Sequence, residues 1–400
     1  MEKVYIVAAK RSAIGAFNGG LSTVSAGKLG AEVAKDVLAT AGIAADRLDE
    51  VIVGNILPAG CGQGVARQVA IHAGVPVEIP AWGVSMACGS GMKAAMSAAA
   101  AIASGTGNLY LAGGTESMSL APYLIPGARQ GLRMGNKEIV DHMVFDALTD
   151  AFDGSHMGIT AENIARKYGI SREEQDEFAI SSQQKAIRAV DTGAFAGEIT
   201  PIKIINRKEE IVFDTDEYPN RKTSLEKLAS LKPAFLKDGT VTAGNASGIN
   251  DGAAFLALAS ERAIADYSLT PLAEIIAWGQ GGVEPSVMGL GPVPAIRAAL
   301  KMAGLSLADM QRIELNEAFA AQSLGVIQLL SEEHGVSKET LLARANPNGG
   351  AIALGHPVGA SGARIIVTLL AGMRAANEAL GLASLCIGGG MGTAVILKTC

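Results

Sequence analysis

The chain has 400 residues, 49% of them apolar, with 33 Lys and Arg against 39 Asp and Glu and a formal charge of −6. That length allows two or three domain-sized units with full cores, and the apolar share fits a well-packed chain, not a disordered one. No basic block suggests nucleic acid as a partner, and no apolar run free of glycine or polar breaks reaches membrane-spanning length.

The N-terminus, Met1-Glu2-Lys3-Val4-Tyr5-Ile6-Val7-Ala8-Ala9, reads as a first strand and lacks the features of a signal or transit peptide. Four cysteines, at 61, 88, 386 and 400, form neither a disulfide framework nor a CxxC zinc pattern, so the cytoplasm is the expected compartment. Strands are predicted at 4–9, 50–56, 81–86 and 109–114, alternating with helices at 26–41, 64–73 and 92–103. Strand 81–86 is expected to be buried. Such alternation implies a mostly parallel sheet covered by helices on both faces. From 117 to 245 the rhythm breaks. An irregular excursion at 118–158 precedes a helix at 160–168 and a second one from Ser171, whose Glu174 completes a capping box, to about Asp191. The most charged stretch, 206–240, includes Arg207, Lys208, Glu209, Glu210, Arg221 and Lys222. Beyond it strands are predicted at 252–260, 272–278, 313–315 and 350–354, helices at 293–302, 319–333 and 359–376, and a closing hairpin at 382–398.

The two ends repeat. Leu109-Tyr-Leu-Ala-Gly-Gly114 matches Leu385-Cys-Ile-Gly-Gly-Gly390 at an offset of 276, and Ser90-Gly-Met-Lys93 matches Ser361-Gly-Ala-Arg364 at 271. A duplicated half is the reading, with the turn around Cys88 and the turn around His356 meeting near a pseudo-twofold axis.

Cys88 stands where a strand feeds a helix, a setting whose free N–H groups and dipole favour a thiolate. Gly89 and Gly91 permit a tight turn and close approach. Asn316 and Glu317 fall at a strand end, the edge where open α/β sheets bind ligands. His356, between Gly355 and Pro357, is held in a defined direction. Cys386 precedes the run Gly388-Gly389-Gly390, which no helix follows, so a dinucleotide loop is excluded.

The cysteine turn, Asn316-Glu-Ala-Phe319, Gly355-His-Pro357 and Cys386-Ile-Gly-Gly-Gly390 together resemble the four signature blocks of the thiolases. His156-Met-Gly158 and Asn245-Ala-Ser-Gly-Ile-Asn-Asp-Gly252 are further hallmarks, and the details are similar to the biosynthetic branch. The resemblance implies a duplicated α/β fold, two βαβαβαββ halves of mixed, mostly parallel sheets layered with helices, plus a long loop domain. The units would be 1–116 with 246–270, 117–245, and 271–400. The implied activity is acetyl-CoA C-acetyltransferase, the reversible Claisen condensation of two acetyl-CoA to acetoacetyl-CoA and CoA. Cys88 would carry the acetyl group, His356 would take its proton, and Cys386, a thiol near its solution pKa of ~8.5, would deprotonate the second acetyl-CoA. His356 with a water held by Asn316 would form one oxyanion site, and the N–H groups of Cys88 and Gly388 the other.

By the same resemblance, CoA would lie along the 117–245 unit, with Ser247 near its pantetheine and Arg221 or Lys222 near its phosphates. His156 would pack beside the ligand. Leu148, Met157, Phe235, Met288 and Phe319 match a short-chain pocket. No metal and no permanently bound cofactor is implied, CoA and acetyl-CoA being substrates. The loop at 118–145 suggests a homotetramer, a dimer of dimers. His72, His142, His334, Cys61 and Cys400 read as structural or surface residues. A 3-ketoacyl-CoA thiolase of broader chain length is the alternative. A cysteine hydrolase using Cys88, His356 and Asn316 is a remote one, because it leaves Cys386 without a task.

Overall fold

In the computed structural model, which describes residues 2–206 and 209–400, one large sheet carries the architecture. Arg207 and Lys208 lie outside the described residues. The principal strands are β1 (Val4–Ser12), β2 (Glu50–Gly54), β3 (Ala81–Val84), β4 (Leu109–Ser117), β5 (Asn250–Ser260), β6 (Ala273–Gly282), β7 (Arg312–Leu315), β8 (Leu380–Ile387) and β9 (Met391–Thr399). They lie side by side in the order β7-β8-β9-β6-β1-β5-β4-β2-β3. In the first half β1, β2, β3 and β4 share one direction and only β5 opposes them. In the second half β6, β7 and β8 run together and only β9 opposes. Each half is thus mixed and mostly parallel, as expected.

Period-two alternation sorts the buried side chains into layers. On β5, Ala253, Phe255, Ala257 and Ala259 face an outer core under α1 (Ala26–Ala41), while Ala254, Leu256 and Leu258 face a central core. On β9, Val395 and Leu397 join that central core, and Ala394 and Ile396 join a second outer one. Two helices fill the centre: α2 (Ser90–Ala103) and α3 (Val358–Ala376). By length and composition α3 could cross a membrane, yet most of it is buried inside the protein, as a core helix is.

A paired clamp fixes the register of the repeat at these strands. Asp49 Oδ2 accepts from the N–H groups of Asn108 and Leu109, and Gln311 Oε1 accepts from those of Ala379 and Leu380. Leu109 therefore corresponds to Leu380, 271 residues on. This corrects the 276 expected for the strands and matches the 271 of the helices. The pseudo-twofold axis passes between α2 and α3. A Cβ on Gly91 would lie 2.9 Å from Ala363 N, and one on Gly362 would lie 2.4 Å from Met92 N. Each glycine thus seats the other half's helix backbone.

Two other expectations change. Strand β3 ends at Val84 and is an edge strand with Trp82 41% exposed, not a buried one, because nothing among the described residues pairs with its outer side. Residues Ala351–Leu354 are a short helix, not a strand. Their apolar run is buried on all sides, and periodicity alone does not separate the two states at that length. The charged stretch forms a hairpin of Ile202–Asn206 with Glu209–Phe213. The Ser171–Glu174 capping box and the helix from Arg172 to Asp191 form as read.

Candidate active site

The cysteine turn is a braced kink between β3 and α2. Ala87 takes a left-handed φ of 40°, rare for a residue with a side chain. Ser90 holds it there: its Oγ donates to Ala87 O and accepts from Met86 N, both at 2.8 Å. Gly89 itself has φ −79°, so freedom of rotation is not its purpose. A Cβ there would lie 2.3 Å from Ile387 Cδ1. The glycine lets the hairpin bearing Cys386 press against the turn bearing Cys88.

Both cysteines are thiols at rest. Burial pushes Cys88 up to about 11, although the N–H groups of Gly388 and of Cys88 itself point at the sulfur and pull the other way. The thiolate expected from the helix terminus is therefore corrected: desolvation of the anion outweighs two backbone donors. Cys386 is completely buried and is pushed above the ordinary thiol range by that burial and by the neighbouring Cys88, not held near its solution value. The N–H groups of Cys88 and Gly388, which the resemblance assigns to an oxyanion, here converge on the Cys88 sulfur.

His356 sits in the turn before α3. Its N–H donates to Asn250 Oδ1 at 2.9 Å, and Gly355, at φ 103°, lies so close that a Cβ would strike the Asn250 amide. The ring's Nδ1 meets Ser361 Oγ at 2.6 Å, and Nε2 is buried without a protein partner among the described residues. Burial, with the Arg364 guanidinium adding to it, lowers the imidazole to about 4, so His356 is neutral at pH 7. Asn316, 1% exposed, has neither amide atom hydrogen-bonded to protein. Buried amides without partners are rare, and this one suits the water-holding task implied for it.

Two carboxylates hold the frame: Glu116, which the sequence reading does not single out, and Glu317, which it places at the strand edge. Glu116 accepts from the N–H groups of Ile56, Leu57 and Gly359 and from the Asn55 amide, tying the loop after β2 to the start of α3. Glu317 is not free at the sheet edge. It accepts from Ser182 Oγ, Asn346 Nδ2 and Ile352 N, which makes it a clamp beneath Asn316. For Glu116, only its place near the end of an apolar strand hinted at such a role.

Cys88 and His356 open into one cavity of about 500 Å³, mostly apolar. Ser247, Leu148, His156, Met157, Phe235, Met288 and Phe319 all line it, seven of the nine expected ligand contacts. His156 stacks on Phe235 with centroids 4.6 Å apart, and Phe235 meets Phe319 edge-on at 6.2 Å. Gly158 makes room for the stack, since a Cβ there would lie 2.2 Å from the Phe235 ring. His156 is kept below its usual pKa by burial, and its Nδ1 caps a helix through Gly158 N. Arg221 does not reach the cavity. It pairs with Asp191 on the surface, and Lys222 does not line the cavity either. Phe17, Met118 and Tyr218 do line it, and nothing in their local sequence marked them.

Two like α/β halves that bring Cys88 and a neutral His356 to one apolar cavity, with Cys386 buried on the hairpin that presses against the Cys88 turn, fit one class: acyl-transferring α/β proteins. The thiolase N-terminal domain matches residues 4–262 and the thiolase C-terminal domain residues 269–399. The chain belongs to the thiolase family. It is 54% identical over 398 residues to an acetyl-CoA acetyltransferase of Pseudomonas aeruginosa, covering 99% of each chain. It is 51% identical over 399 residues to one of Escherichia coli, covering 100% of this chain and 99% of the relative. Among solved structures, the acetyl-CoA acetyltransferase of Syntrophomonas wolfei matches with a TM-score of 0.97 at 42% identity, each chain covered in full. Human mitochondrial 3-ketoacyl-CoA thiolase matches with a TM-score of 0.94, also at 42% identity, over 100% of this chain and 99% of that one.

Proposed function

We propose that the protein is an acetyl-CoA C-acetyltransferase that condenses two acetyl-CoA to acetoacetyl-CoA and CoA, reversibly. The observation that carries this is Cys88 and a neutral imidazole, its Nε2 unpartnered among the described residues, at a single cavity, with a second thiol, Cys386, buried close enough to Cys88 to feel its charge. A hydrolase has no use for the second thiol, and the full-length likeness to acetyltransferases agrees.

The resting protonation states order the steps. Cys88 gives its proton to His356 as its sulfur attacks the first thioester. The two ions formed are opposite and adjacent, which offsets the cost of charging either alone. Charge on the acyl oxygen is met by the N–H groups of Cys88 and Gly388. As the carbon–sulfur bond to CoA breaks, the leaving thiolate takes the proton of Cys386. That step supplies the Cys386 thiolate, which the buried thiol does not release to solvent at neutral pH. Cys386 then removes a proton from the methyl group of the second acetyl-CoA. Its enolate oxygen faces His356 and the water on Asn316, and its carbon attacks the acetyl group. Cys88 leaves as a thiolate and recovers its proton from His356, so every group returns to its starting state.

Met157, Met288, Leu148, Phe235 and Phe319 wall the acyl end and favour short chains. The broader 3-ketoacyl-CoA reading keeps some weight, because that fold is shared. Thiolysis of 3-ketoacyl-CoA of increasing chain length with free CoA tests the point: rates falling steeply beyond four carbons support the proposal, and a flat profile refutes it.

For assembly, the reading is a homotetramer built through the 118–145 loop. Its support is apolar exposure there: Tyr123 is 62%, Ile139 61% and Met134 fully exposed. A cytoplasmic location agrees with cysteines that are all unpaired. The mass of the purified protein in solution, with and without that loop, tests the tetramer.

A further inference from the structure

Ser361 has a single hydroxyl proton, and the chemistry of its two neighbours assigns it: Pro357 O can only accept, whereas the ring nitrogen can donate. Its Oγ lies 2.9 Å from Pro357 O, to which it donates. That carbonyl is itself fixed, accepting from Ala360 N and Ser361 N in the first turn of α3. With its proton committed, Oγ can only accept from the imidazole nitrogen 2.6 Å away. Nδ1 of His356 must then carry hydrogen, and Nε2 must hold the lone pair. The repeat supports the arrangement. Ser90, which stands 271 residues before Ser361, uses its hydroxyl the same way, donating to Ala87 O and accepting from Met86 N. In the second half a histidine ring stands where the first half has a backbone N–H.

Resting on the acetyltransferase reading above, the geometry points to Ser361 as the positioning residue that assigns His356 its protons. A neutral His356 so held can accept at Nε2 and cannot donate there. It becomes a donor to the enolate oxygen only as imidazolium, after it has taken the proton of Cys88. The proton that leaves Cys88 therefore stays on Nε2 for the life of the acetyl-enzyme, hydrogen-bonds to the enolate, and returns to the Cys88 sulfur when its bond to the acetyl carbon breaks. Nδ1–H donates to Ser361 throughout, a bond that favours the charged ring. Donor capacity at Nε2 thus exists only when Cys88 is acylated, so the second acetyl-CoA is not enolised before the first has reacted.

Two measurements test this. Histidine carbon and nitrogen shifts are read on the intact enzyme, which has five histidines, with His356→Ala to assign the signal. The Nδ1–H tautomer is expected at rest, and a doubly protonated ring once acetyl-CoA has acetylated Cys88. Kinetically, Ser361→Ala should lower kcat about 10²-fold, the low end for an impaired general base. KM should stay within about twofold, the split expected for a loss in the chemical step. Ser361→Thr, which keeps the hydroxyl, should restore most of the rate. An Nε2–H tautomer at rest, a Ser361→Ala enzyme with wild-type kcat, or a threonine variant as slow as alanine would each overturn the inference. A wild-type enzyme that does not condense acetyl-CoA overturns the underlying reading instead, whatever the tautomer.

Discussion

Gly89 and Ile387 are the residues that follow the two cysteines, and their contact sets how near the sulfurs come. Gly89→Ala adds one carbon 2.3 Å from Ile387 Cδ1 and 2.9 Å from its Cγ1, where Ile387 is completely buried. Overpacking of that kind costs about 1–3 kcal/mol. Because Ile387 adjoins Cys386, the relief of the clash displaces the second thiol, and a shift near 1 Å can cost on the order of 10² in rate. Ile387→Val alone removes the offending methyl and should cost about 0.5–1.5 kcal/mol. Combined, the two changes should leave the protein little less stable than Ile387→Val and recover much of the activity. Denaturant unfolding at fixed protein concentration and the condensation rate, measured for the four members of the cycle, should show a coupling of about 1–2 kcal/mol. Additivity within about 0.5 kcal/mol would refute the claim that these two turns meet there.

Alkylation of Cys88 by iodoacetamide should climb about tenfold per pH unit from pH 7 to pH 10, because the thiol lies at about 11 and the thiolate is what reacts; a plateau by pH 8 would mean the helix terminus does hold a thiolate. Cys386→Ser should still acetylate Cys88, while exchange of acetyl-CoA methyl protons with solvent falls by roughly 10²–10⁴. Undiminished exchange, followed by deuterium incorporation, would remove Cys386 from the proposed mechanism. Gly362→Ala should destabilise by at least about 3 kcal/mol, the top of the usual overpacking range, since its Cβ meets Met92 backbone and not a side chain that can turn away. A thermal midpoint within a degree of wild type would refute the close crossing of α2 and α3.

The sequence by itself determined the layers, the duplication and the chemical cast. Continuous apolar strands alternating with helices admit few architectures, and Cys88, His356, Cys386 and Asn316 stand in local motifs whose turns can be read from glycine and proline. Tertiary structure decided the rest. Protonation depends on how much water the fold removes, so the thiolate argued from one helix end gave way to a thiol because desolvation at Cys88 outweighs the backbone donors. Glu116 acts on loops brought in from both halves, and Ser361, though only five residues from His356, acts on a ring whose direction the fold sets. Arg221 lies on the surface paired with Asp191, 30 residues away in sequence, a contact the local sequence does not show. Even the repeat needed the fold, because two leucine-rich strands align at several offsets by residue type. The strand N–H groups held by Asp49 and Gln311 choose 271, as hydrogen bonds fix register where hydrophobicity does not.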